Sequence, residues 1–351
     1  MSPDPSPPSP SLLRRPDLWF GVVLAGLFVM AAVILPAWGN NSRAQDDVRF
    51  FRVAAGPISD SVFALAGLLA GALSSPPGGL PCDKGGSCGI PGMIAVAQGV
   101  DGSRSAVEAL LRGQADAAIA ALDIAAGLQP KPSATAPAPR QLRAMATLFT
   151  RDLHILVRDE SSYEAPQHLR GKRIALAGNT DRLLQLTRIL IGATPRPQDA
   201  ELGDALARLA EGSVEAVLTL VPAGNVPLAE AAKTLPLRLI PVDADRLPEN
   251  LATLYIPTDL PGGLYAGTAR TPTIGLPVQL LVADTMPADL ARRLTSVLWH
   301  TATAKSLTDG PPEGRNMRLD SALRGMVLPL HPGAGAYYRE IGKLGTAPVA
   351  N

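Results

Sequence analysis

From Val48 onward the chain alternates short apolar runs with longer amphipathic ones. "VRFFRVAAG" is a compact apolar run ending at Gly56 and predicts a buried strand. "SDSVFALAGLLAGAL" predicts a helix with Ser59 or Asp60 as its N-cap. "MIAVAQ" predicts a second strand, "SRSAVEALLRGQ" a helix capped by Ser103 and ended by Gly113, and "ADAAIAAL" a third strand. This alternation points to a parallel α/β sheet. "QPKPSATAPAP" is too rich in proline for regular structure and reads as a surface loop. After it, "QLRAMATLF" and "LHILVR" predict two strands, and "GKRIALAG" opens a second series. That series continues with the helices "TDRLLQLTRILIG" and "LGDALARLAEG", the strand "SVEAVLTL", the helix "PLAEAAKTL" and the strand "LRLIPV". A late apolar strand, "TIGLPVQLLV", precedes one long helix, "PADLARRLTSVLWHTATAK".

Two α/β series followed by a return strand predict two lobes joined by crossing connections. Such lobes hold a ligand between them, at strand carboxyl ends and helix N-termini. Lobe one is expected to combine residues 48–158 with 270–345, and lobe two to span 159–269.

The N-terminal pattern differs. Residues 1–17 are rich in proline and serine and read as a disordered cytoplasmic segment. Residues 18–38 are strongly apolar, and no charged side chain falls between Asp17 and Arg43. A helix of that length crosses about 30 Å of hydrocarbon. Trp19 and Trp38 stand near its ends, and Arg14 with Arg15 keeps the N-terminus in the cytoplasm. The run exceeds an ordinary signal-peptide core, and Ala37-Trp38-Gly39 and Ser42-Arg43-Ala44 are mediocre cleavage sites. A retained inner-membrane anchor and a cleaved signal both export the body to the periplasm.

Charge and composition remove one class of partner. Lys plus Arg number 32, Asp plus Glu 31, and aromatics make up 4%. Neither a basic footprint nor a stacking platform for nucleic acid follows. No P-loop and no internal repeat is present, and no cofactor is implied.

Export bears on the two cysteines, Cys82 and Cys88, in "PCDKGGSCGIPG". In an oxidising compartment their simplest reading is a disulfide pinning a loop, with free thiols as the alternative. Zinc would need four ligands, and none of His154, His168, His300 or His331 is close in sequence. A redox pair favours C-x-x-C spacing. Ser87 sits in a formal G-x-S-x-G match, but that motif needs a strand before it and a helix after it. Here Pro81 and Pro91 bracket a glycine-rich stretch. No metal site and no enzymatic activity is expected.

The C-terminal "LPLHPGAGAYYREIG" closely resembles the signature ending of TAXI-type solute receptors of tripartite ATP-independent periplasmic (TRAP) transporters. "SPPGGLPCDKGGSCGIPGMIAVAQGVDGS", "LRGQADAAIA", "LFTRDLHILVR", "HLRGKRIALAG" and "PGGLYAG" resemble further family segments in the family's order. The resemblance runs from about Val48 to Gly342. It implies an α/β, two-lobed clamshell of the type II periplasmic-binding-protein class, behind one N-terminal hydrophobic helix. It also implies capture of a small carboxylate or amino acid, and its delivery to TRAP-type permease subunits by hinge closure. A degenerate, anchored receptor acting as a sensor or interaction protein is the alternative.

On the resemblance, ligand contacts fall at Gly56, Ser59, Asp123, Gly178, Thr180, Arg182 and Tyr265. Several polar positions of the family are lost. Ala55 replaces a threonine, Val62 a tyrosine and Ala106 an asparagine. Ala121-Leu122-Asp123 stands for Gln-Ser-Asp, and Thr180-Asp181-Arg182 for Ser-Gly-Thr. A carboxylate needs donors, so Arg182 in the first turn of a cleft-facing helix becomes the candidate clamp. Its alternative is solvent, or a pair with Asp181 or Asp204. Asp181 reads as an N-cap, Asp123 as a helix cap or cleft residue, and Tyr265 as a hinge-side contact or core. His154 reads as a core histidine or an inter-lobe bond, and His331 as structural.

Overall fold

The computed structural model describes residues 48–80, 82–131, 139–192 and 198–345. The expected segments 1–17 and 18–38 lie outside these residues, as do residues 132–138 of the proline-rich loop. Among the described residues no helix is long and apolar enough to cross a membrane.

The strands are β1 (Arg49–Ala55), β2 (Ser74–Ser75), β3 (Ile90–Pro91), β4 (Met93–Gly99), β5 (Ala117–Ala121) and β6 (Leu142–Arg158). They continue as β7 (Ile174–Ala177), β8 (Gln198–Ala200), β9 (Ala216–Val221), β10 (Leu237–Leu239), β11 (Ile256–Leu260) and β12 (Thr271–Ala283). In lobe one β1 pairs in parallel with β4 and β5, as the strand–helix alternation predicts. Helices α1 (Ser61–Leu73), α2 (Ser103–Leu111) and α3 (Leu122–Leu128) connect these strands. In lobe two β7 lies parallel to both β8 and β9, with α4 (Thr180–Ile191), α5 (Leu202–Ala210) and α6 (Val226–Ala231). The short α7 (Glu249–Ala252) precedes β11. The chain then returns to lobe one through β12 and α8 (Ala288–Leu298), α9 (Thr301–Thr308), α10 (Pro312–Arg315) and α11 (Pro332–Glu340). This is a two-lobed α/β fold.

The two lobes are joined by the antiparallel pair β6 and β12. Val278–Val282 of β12 lie against β5, whereas Thr271–Gly275 lie against β11. Ala144–Phe149 of β6 face the lobe-one half of β12, and Asp152–Leu156 pair with β9. The crossing therefore sits at Thr150–Asp152 opposite Gly275–Pro277, and residues 152–158 run along lobe two.

Thr150-Arg151-Asp152 interrupts an apolar run, so the pattern predicts two strands where the structure has one, β6. The strand continues through that polar stretch because each of the three residues keeps a ladder partner on β12. Conversely, the single long helix expected after β12 is two. Trp299 ends α8, and His300, in extended conformation, caps α9 with its ring. α2 is preceded by Gly102 rather than capped by Ser103, whose hydroxyl instead accepts from Ala121 N–H at 3.1 Å. The apolar pattern does not predict strands β2, β3, β8 and β11, which are short and polar or interrupted by proline.

Lobe one's outer core packs α1 and α8 on Phe51, Met93, Met145 and Leu148. Tyr338, fully buried on α11, closes it: its hydroxyl accepts from Trp299 Nε1 at 2.8 Å and donates to Met145 O at 3.2 Å. Tyr338→Phe strands both partners in an apolar setting. It is expected to lower unfolding free energy by about 1–3 kcal/mol, measured by urea denaturation.

Candidate functional site

α3, which follows β5, and α4, which follows β7, are linked by a side-chain contact between Asp123 and Arg182. α4 starts cleanly: Asn179 accepts from Arg182 N–H at 3.0 Å as N-cap. Asp181 is therefore not the cap but a first-turn residue, exposed to solvent. Gly178 precedes the cap with φ of 122°, a backbone conformation that side-chain-bearing residues avoid. Thr180 Oγ1 lies 3.5 Å from Gly178 O.

Arg182 follows in that first turn, where the helix dipole disfavours a cation unless an anion lies beside it. The anion is Asp123, from lobe one. Arg182 Nε donates to Asp123 Oδ2 at 2.6 Å, and Nη2 lies 2.5 Å from the same oxygen. The two side chains are only 10% and 20% exposed. The partner is neither Asp181 nor Asp204. Asp123 does not cap α3, whose N-cap is Ala121; its Oδ1 accepts from Ile124 N–H at 2.8 Å. Tyr255 is buried nearby; burial pushes its phenol well up, opposed by Arg182 and reinforced by Asp123. The two charged residues expected at the ligand site thus satisfy each other across the lobes.

On the lobe-one wall, Gly56 is buried behind the exposed turn that holds Ser59. Asp60, not Ser59, caps α1, accepting from Val62 N–H at 3.1 Å. Ser61 Oγ donates to Glu313 Oε1, while Asp60 Oδ1 lies 3.2 Å from the same hydroxyl. One hydroxyl proton thus serves two carboxylates. Glu313 is 4% exposed, and its Oε2 has no hydrogen-bond partner among the described residues. Arg151, on the crossing segment of β6, brings its guanidinium to 3.9 Å from Asp60 Oδ2.

Behind the crossing, Asp152 is buried and accepts from Thr150 Oγ1 at 2.8 Å and Thr258 Oγ1 at 3.0 Å. Burial pushes its carboxyl up to about 6, against the pull of those bonds and of Ala223 N–H. Gly275 opposite leaves it room: a Cβ there would meet Asp152 Oδ1 at 2.6 Å. His154 is fully buried, with Nδ1 2.9 Å from Asp152 O and Nε2 3.0 Å from Tyr265 Oη. The carbonyl requires Nδ1 to donate, so Nε2 accepts from the tyrosine. Burial holds this imidazole down at about 4 and pushes Tyr265 up to about 12. Tyr265, 2% exposed, is a packed residue of lobe two bound to the crossing strand. His331 caps α11, with Nδ1 accepting from Gly333 N–H at 3.1 Å.

The structure brings Asp123 and Arg182 together, ties Tyr265 to His154 and places Ser59 on the exposed turn before α1. Arg151, Asp152 and Glu313 escaped the sequence reading. Adjacent opposite charges inside an apolar strand were the available signal for the first two. "PPEG" around Glu313 looks like any surface turn.

Cys82 and Cys88 form a disulfide, with Cα atoms 4.6 Å apart. Ser87 Oγ donates to Ser74 O and accepts from Gly89 N–H at 3.1 Å, so its proton is committed to a carbonyl rather than a base.

Among solved structures, SsuA of Methylobacillus flagellatus, a periplasmic sulfonate-binding protein, aligns at 13% identity over 84% of this chain and 88% of its own, with TM-score 0.44. YtmK of Bacillus subtilis, an extracellular binding protein of an amino-acid ABC transporter, aligns at 12% over 72% and 90%, with TM-score 0.42. The periplasmic VFT2 domain of Bordetella pertussis BvgS aligns at 14% over 79% and 97%, with TM-score 0.40. A family match spans residues 86–342, from within the disulfide loop to just beyond α11, and takes in Asp123, Arg182 and both crossing strands. The chain belongs to the NMT1-like family.

Proposed function

We propose that this chain is a periplasmic receptor that captures a small carboxylate solute between its lobes and delivers it to a TRAP-type permease. The observation that carries this reading is the Arg182–Asp123 pair. It puts a guanidinium, largely shielded from solvent, in the contact between the first turns of α3 and α4. A solute carboxylate takes the place of Asp123 on Arg182 and uses the guanidinium's two parallel N–H groups. Arg151 supplies a second cation beside the α1 N-terminus, held only loosely by Asp60. Hinge closure at Thr150–Asp152 and Gly275–Pro277 then retains the solute. The C-terminal signature and the order of the family-like segments support the permease partnership.

A thermal-shift screen of the full-length chain in mild detergent, against amino acids, dicarboxylates and keto acids, tests this. A solute at 100 times its dissociation constant stabilises by about 2.7 kcal/mol, and Arg182→Ala should abolish that shift. A flat response across the panel overturns the reading. It would favour the second one, a closed relative that no longer takes up solute and acts as a sensor or interaction protein. The same ion pair supports that alternative, because Asp123 already occupies the anion position.

A further inference from the structure

The disulfide loop has a neighbour that sequence separation hides. An imidazole nitrogen of His300 and the Sγ atoms of Cys82 and Cys88 all lie within 4.8 Å of one another. Cys82 and His300 are exposed and Cys88 is half-buried. The three are positioned by separate devices. His300 is the N-cap residue of α9, its Nδ1 accepting from Ala302 N–H at 3.2 Å. The loop is tied through Ser87 to the backbone of Ser74, independently of the sulfurs.

We propose that reduction of Cys82–Cys88 uncovers a Cys2His site for a thiophilic d10 cation, with zinc(II) as its representative. A dithiol reductant gives two electrons and two protons to the S–S bond and leaves as its own disulfide. The bond breaks and two thiols form. The cation then displaces both thiol protons to solvent and takes the neutral imidazole as its third ligand. Two thiolates and one imidazole are a donor set that zinc favours. Ligand atoms around one tetrahedral zinc stand roughly 3.3–3.8 Å apart, given bonds of about 2.0–2.3 Å. Once the S–S bond breaks, the two sulfurs separate by about 1.7 Å from their disulfide spacing, and the imidazole nitrogen, within 4.8 Å of both, closes on them by up to about 1.3 Å. Exposure of Cys82 and His300 leaves the fourth position to water or an external ligand. In the oxidised loop neither sulfur carries a charge, so the site exists only after reduction. Bound metal in turn protects the dithiol from reoxidation.

The test uses the full-length chain in mild detergent, reduced with a phosphine, desalted without oxygen, and titrated with cobalt(II) and then zinc(II). One equivalent of cobalt should give the visible bands of a tetrahedral ion and a thiolate charge-transfer band, which zinc then bleaches. The oxidised protein should give neither. His300→Asn keeps a capping acceptor for α9 but removes the imidazole. It should weaken cobalt binding by about tenfold or more with altered bands, while the oxidised variant melts like the parent. Failure of the reduced parent to bind, or an unchanged spectrum and affinity in His300→Asn, overturns the proposal.

Discussion

Asp123→Ala is expected to open the two lobes and to tighten the binding of small carboxylates. The substitution leaves the Arg182 guanidinium without an anion in the first turn of α4, where the helix dipole also opposes it. Removing one partner of a buried pair costs about 3–5 kcal/mol when the remaining charge stays buried. If the lobes separate by hinge closure in reverse, as the proposed function requires, the guanidinium is rehydrated and the loss in unfolding free energy should fall below that range. The separation appears as a larger radius of gyration by solution scattering. Asp123 also acts as an internal competitor for any solute carboxylate, at an effective concentration in the millimolar range or above. Its removal should therefore lower the apparent dissociation constant of an anionic solute by about tenfold or more. Arg182→Ala should open the lobes as well, yet lose the solute altogether. Opposite effects on binding from two variants that both open the protein would separate clamp from competitor. If Asp123→Ala matches the parent in size, stability and affinity, the pair is not a latch.

The second large effect is a pH dependence that the parent protein conceals. Asp152, with a folded-state pKa of about 6 against an ordinary 3.8, keeps its proton in the folded state after the unfolded chain has released it. Its contribution to stability therefore falls as pH rises from about 4 to 6, by up to about 1.4 kcal/mol per unit. His154, held at about 4 against an ordinary 6.5, stays neutral in the fold while the unfolded chain takes up a proton. Its contribution rises with pH over nearly the same window. Two residues apart on β6, the groups cancel, and the parent should show little slope from this pair between about pH 4 and 6. Asp152→Asn removes the falling limb and should make stability rise with pH relative to the parent, by about 3 kcal/mol across the window. Placing an amide against Ala223 N–H shifts the whole curve without changing this slope. His154→Asn should give the opposite tilt. Urea denaturation at half-unit pH steps measures both. A difference curve that stays flat for Asp152→Asn would mean that this carboxyl titrates alike in both states.

The same residues show where reading the chain stopped short. Arg182 is legible from the family resemblance together with its place in a first helical turn, and Asp123 from the resemblance. Their union is not, because each reading is local and the residues stand on different lobes. Proximity in sequence favours Asp181 and Asp204 as partners for the same reason. Thr150-Arg151-Asp152 looked like the gap between two strands, since polar residues usually end an apolar run. It is the segment by which one strand passes from lobe to lobe, its polar side chains answered by Thr258, Asp60 and the space above Gly275. His300 was set aside on sequence distance, although the break between α8 and α9 carries it to the cysteines.

The alternation of strand and helix, the two-lobed α/β plan and the late return strand are all legible in the order of residues along the chain. This is possible because these follow from periodicity and turn residues within a dozen positions of each other. Which charges meet, which histidine lies beside the disulfide and where the strands cross between lobes emerge once the chain is folded. Each of those depends on contacts between residues dozens to hundreds of positions apart, where burial and pairing outweigh any local preference.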